Sequence, residues 1–75
     1  MQRSERLTAI IQREEDGFVA LCPELDIASQ GSTIEEARAN LVEALTLFFE
    51  VADEGEISRW MHSEVFVTQV EVPVG

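Results

Sequence analysis

Over residues 7–13 the side chains alternate. Leu7, Ala9 and Ile11 fall on one side and Thr8, Ile10 and Gln12 on the other, and a period of two predicts a strand. Glu14, Glu15, Asp16 and Gly17 follow. The Asp-Gly pair predicts a hairpin turn, because glycine accepts positive φ. Residues 18–22 read as the return strand, with Phe18, Ala20 and Cys22 on one face and Val19 and Leu21 on the other. Pro23 stops it, since proline has no N–H to give to a ladder. Residues 24–26 are expected to turn. Ile27, Ala28 and Ser29 add a brief third strand, and Gly31 ends it.

The period then changes. Thr33 is the expected helix N-cap, with Glu36 three residues on to return its carboxylate to the backbone N–H of the cap. Glu35 and Glu36 also suit the positive end of the helix dipole. At about 100° per residue, Ile34, Ala37, Leu41, Ala44, Leu45, Phe48 and Ala52 form one apolar stripe, widened by Val42 and Phe49. Glu36, Glu43, Glu50 and Glu54 cluster opposite, with Leu47 among them. Gly55 is the expected C′ residue that ends the helix. In residues 56–63, Ile57, Trp60 and Met61 suggest a short turn packing back on the core. Residues 64–72, rich in valine and carrying Phe66, predict a last strand that Pro73 ends.

The order is β-β-β-α-β. It predicts an α+β fold, a small antiparallel sheet with one long helix packed on one face, as a single domain over residues 1–75. One helix covers one face of a sheet, yet Ile10, Val19 and Leu21 leave apolar side chains on the other. An uncovered apolar face on a small domain marks an interface. A chain of 75 residues buries only about 60% of the surface its unfolded form exposes. Both arguments predict a homo-oligomer, a dimer in the first instance, with Val19, Leu21 or the last strand near the contact.

Charge narrows the choice of partner. Fifteen carboxylates face five arginines, with no lysine, for a net charge of −10. Direct nucleic-acid binding is disfavoured, because phosphate contacts need clustered Lys and Arg. An acidic surface suits a basic protein partner, although surplus carboxylates also maintain solubility alone. A lone Cys22 excludes a disulfide scaffold. No apolar run is long enough for a membrane span or signal peptide, and a cytoplasmic location is expected.

Catalytic chemistry finds little to work with. Two-metal nuclease chemistry needs several carboxylates converging about 4 Å apart. The strands offer Glu14, Glu64 and Glu71, and none faces an inward carboxylate on the helix. His62 is the only histidine and has no neighbouring ligand set for metal or acid–base work. Cys22 shares the face of Phe18 and Ala20, which points to a buried apolar role rather than a reactive thiol. No enzyme, metal site or cofactor is expected. Glu36, Glu43 and Glu50 recur every seven residues and keep to one side of the helix, so with Leu47 they form the candidate partner-binding face. Glu24 and Asp26, in the turn after Pro23, are the alternative contact.

The series Phe18, Ala20, Pro23, Glu24, Leu25, then Ser29, Gln30, Gly31, then Thr33, Glu35, Glu36, Ala37 and Asn40, followed by Glu43 and Ala44, resembles the HicB-like antitoxin family over roughly residues 5–72. Ile27 and Ala28 stand where that family often has Gly then Cys. The resemblance implies a degraded RNase H-like fold and an antitoxin of a type II toxin–antitoxin system. Such a protein binds and occludes a small basic HicA-like RNase that cleaves mRNA. Many members add a DNA-binding domain. No basic segment here supports that role, so operator binding is not expected. The alternative is a stand-alone HicB-fold oligomer with a structural or ligand-binding role and no toxin.

Overall fold

The computed structural model describes residues 5–61 and 64–75. Three strands, β1 (Ile10–Glu14), β2 (Gly17–Cys22) and β3 (Ile27–Gly31), form an antiparallel meander in the order β1-β2-β3. Helix α1 (Ile34–Val51) and the short helix α2 (Glu54–Met61) follow. The class is α+β, with the long helix on one sheet face.

Register follows the alternation in the sequence. Ile11 pairs with Ala20, which pairs with Ser29, while Ile10, Leu21 and Ala28 align on the opposite face. The first face meets α1. Ala20, Cys22, Leu25, Ala37 and Leu41 form the buried core, with Leu7, Ile11, Phe18, Ile27, Leu45, Phe48 and Phe49 packed around it. The Arg13 guanidinium lies 4.7 Å from the Phe18 ring centre and caps that ring against solvent.

Close helix–sheet approach depends on small residues. A Cβ at Gly31 would lie 2.5 Å from the Ala37 backbone nitrogen, and one at Gly17 would lie 2.7 Å from the Gly31 carbonyl oxygen. The hairpin glycine therefore serves proximity rather than positive φ, which the turn places on Glu15 (φ 42°). The Asn40 side-chain amide donates to the Gln30 carbonyl at 2.7 Å and latches α1 to β3.

Several expected boundaries move. β1 starts at Ile10 rather than residue 7, because Thr8 gives its N–H and its hydroxyl to the Glu24 carboxylate instead of to a ladder. β3 runs on to Gly31. Thr33 caps α1 as expected, its hydroxyl accepting the Glu36 N–H at 3.0 Å, but the Glu36 carboxylate takes the N–H of Ser32 at 2.8 Å, one residue before the cap. α1 ends at Val51, where Ala52 turns extended. Gly55 does not terminate it. Asp53 instead starts α2, accepting the Glu56 N–H on its side chain at 2.7 Å, so Gly55 lies within the first turn of the second helix. The apolar stripe is also narrower than expected, since Ile34 and Val42 are about half exposed at 48% and 49%.

The last strand is the largest correction. Residues 64–75 pair with none of the described strands. Phe66, Val67, Val70, Val72 and Val74 are all exposed, between 62% and 92%. The expected β-β-β-α-β order is thus β-β-β-α-α followed by an extended apolar segment. The Cα radius of gyration is 14.6 Å, against about 11 Å for a compact chain of this length. The expectation for His62 lies outside the described residues.

Candidate partner-binding surfaces

The turn after β2 is built on Glu24. Its carboxylate accepts the Thr8 N–H at 3.1 Å on both oxygens, the Thr8 hydroxyl at 2.6 Å, and the Cys22 thiol at 3.5 Å. Partial burial alone would raise the Glu24 pKa. Hydrogen bonds from the Thr8 hydroxyl, the Glu24 and Thr8 backbone and the Cys22 thiol outweigh it and hold the group below its ordinary value. The same cluster raises the Cys22 pKa, first through burial and then through the hydrogen bond and charge of Glu24. Glu24 is thus committed to holding the lead into β1 against the turn. Asp26 beside it is exposed, in left-handed backbone (φ 55°).

The helix row lies as the spacing requires. Glu36, Glu43 and Glu50 are exposed on α1, and Leu47 is 54% exposed among them. Each step of seven residues rises about 10 Å along the axis, so the row spans most of the helix.

A second acidic feature escapes the periodicity. The β1–β2 turn and the start of α1 enclose a shallow concavity of about 610 Å³, whose lining includes Glu14, Glu15, Asp16 and Glu36. The turn carboxylates are adjacent in sequence, but only the meander and the close approach at Gly31 bring Glu36 beside them. Glu36 therefore joins the concavity to the helix row. Among the described residues, no three His, Cys, Asp or Glu side chains converge to hold a metal ion, and no helix is long and apolar enough to cross a membrane.

A different surface lies on the β1 side. Leu7, Val42, Leu45 and Phe49 line an open groove of about 740 Å³, with both arginines, Arg6 and Arg38, and carboxylates, Glu5 and Glu50, at its border. It exists because α1 packs chiefly on β3 and β2 and only lightly on β1.

The residues that carried the resemblance occupy structural positions. Ala20, Leu25 and Ala37 are buried, Gly31 admits the helix, Thr33 caps it and Asn40 latches it. The shared pattern mainly specifies a way of folding. Among known proteins, a UPF0150 protein of Synechocystis sp. (strain ATCC 27184 / PCC 6803 / Kazusa) is 42% identical over 69 residues, covering 89% of this chain and 94% of the relative. No family model matches the chain, and no solved structure matches it.

Proposed function

The chain belongs to the UPF0150 family, and from that premise we propose that it is an antitoxin-type neutralising protein, akin to the HicB-like antitoxins, that binds a small basic mRNA-cleaving RNase and inhibits it by occlusion. The observation that carries this reading is the position of Glu36. It belongs both to the acidic concavity with Glu14, Glu15 and Asp16 and to the exposed helix row with Glu43 and Glu50, the row in which the apolar Leu47 lies. A surface that binds RNA is basic, and such a surface meets this one with opposite charge. Charge complementarity speeds encounter and orients the partner, while a buried apolar side chain supplies much of the affinity. The protein acts here as a binding partner rather than as an enzyme.

The test is a titration with any small basic protein encoded beside it, comparing wild type with the E43K/L47D double variant. Wild type binds and abolishes RNA cleavage, and the variant loses affinity at least tenfold. Association slows as salt shortens the Debye length below about 10 Å. Failure of wild type to bind any neighbouring basic protein removes the antitoxin reading. Undiminished binding by the variant moves the interface off this face. The alternative, a stand-alone oligomer with a structural or ligand-binding role, is favoured by one feature, the exposed apolar segment 64–75.

A further inference from the structure

We propose that segment 64–74 is an exchanged strand: in a homodimer, each copy adds this segment to the free edge of β1 in the other copy, with its apolar face in the groove beneath α1. The argument is independent of the toxin reading and rests on how segment and groove match.

The segment has the pattern of a half-buried strand. Phe66, Val70, Val72 and Val74 share one face with Glu64 and Thr68, and the other face carries Val65, Val67, Gln69 and Glu71. Such alternation has no use in an unpaired chain, and five large apolar side chains in water are costly. Extended at about 3.3 Å per residue, the eleven residues reach roughly 35 Å, longer than β1. Pro73 then ends the ladder, since it has no N–H to donate.

The receptor has the complementary form. β1 is an edge of the three-stranded sheet, with no neighbour on its outer side among the described residues. Beside it the helix leaves Leu7, Val42, Leu45 and Phe49 lining an open groove. A fourth strand on β1 would put Phe66 and Val70 into that groove. Its other face would set Val65 and Val67 beside Ile10, extending the row Ile10, Leu21 and Ala28 on the open side of the sheet. Of the arriving carboxylates, Glu64 shares the groove-facing side with Phe66, where the border carries Glu5 and Glu50 as well as Arg6 and Arg38, and Glu71 falls on the open side. Strand addition satisfies the backbone of both edges at once.

A second copy is the occupant because the segment does not fill its own groove. α2 carries the chain away, and the molecule extends 52 Å along its long axis against 28 and 18 Å across. Exchange is reciprocal and closes with two-fold symmetry, leaving neither groove nor segment exposed.

Sedimentation of the 75-residue chain at micromolar concentration tests the proposal. The expected mass is twice 8.4 kDa, and backbone amides of residues 65–72 are protected from hydrogen exchange. The F66D/V70D variant sediments as a monomer with unchanged helical circular dichroism, because neither side chain belongs to the core. Val42→Asp, altering the groove instead of the strand, gives the same monomer, and mixing the two variants restores a dimer through the one intact strand–groove pair. A wild-type monomer overturns the proposal whether the segment amides are protected, meaning that it folds on its own edge, or unprotected. A dimer that survives F66D/V70D also overturns it.

Discussion

Thr8 and Glu24, sixteen residues apart, are tied by the hydroxyl of one donating at 2.6 Å to the carboxylate of the other, with the Thr8 N–H at 3.1 Å reinforcing the contact. The pair closes the base of the sheet, fixing the chain ahead of β1 to the turn beyond β2. It also explains why β1 starts late, because Thr8 has already given its donors away.

This contact has a pH signature. The folded-state pKa of Glu24 is depressed, so its contribution is fully present above the unfolded glutamate value of about 4.3. It is lost as pH falls from there through the lower folded value. Urea denaturation of wild type and Glu24→Gln between neutral and acid pH should show the gap between them closing on acidification. Thr8→Ala, which removes the hydroxyl donor, should cost about 1 kcal/mol at neutral pH.

Core and cap should separate cleanly by magnitude. Leu41, on the inward face of α1, is buried against the sheet, and Leu41→Ala should cost about 2–5 kcal/mol from lost transfer energy and a cavity. Phe48→Ala should cost less, because Phe48 is only half buried. Thr33→Ala should cost about 1 kcal/mol. Chemical denaturation of the three variants tests the ranking, and a cap variant worse than Leu41→Ala would contradict the packing described.

Gly31→Ala should be more damaging than a surface glycine substitution, although its φ is ordinary. The new Cβ would meet backbone of α1 on two sides, at 2.5 Å from the Ala37 nitrogen and 2.8 Å from the Glu36 carbonyl carbon. Backbone cannot rotate aside, so the helix start must lift. A cost of about 1–3 kcal/mol follows from overpacking, and thermal denaturation should show it, whereas Gly55→Ala, with only the Asp53 carboxylate oxygen at 3.5 Å, should not destabilise.

Cys22 should be a slow thiol. It is buried and free, and its pKa is raised by burial and by Glu24, so thiolate is scarce near neutral pH. Labelling with a thiol reagent should proceed at the rate of local opening in the native protein and should become fast in denaturant. Fast labelling of the native protein would show that the sheet face under α1 is open.

The local pattern alone determined the hairpin, the faces of each strand, the Thr33 cap and the inward positions Ala37 and Leu41. Each follows from a backbone period or from a capping bond reaching no more than three residues. The exposed carboxylates of α1 were legible in the same way, because helical spacing places Glu36, Glu43 and Glu50 on one side. What lay beyond local pattern was decided by contacts distant in sequence. Glu24 read as a turn former until Thr8 was found against it. Gly17 read as a turn glycine and Gly31 as the end of a strand, whereas their neighbours across the fold show that they make room for backbone. Gly55 read as a helix stop, but Asp53 offered a cap two residues earlier and α2 began there. Glu36 joined the turn carboxylates only because the meander returns β3 to the hairpin. Residues 64–72 show the limit most directly. Alternation told that they are fit to be a strand, but a strand exists only beside another edge, and no period within one segment says which edge that is.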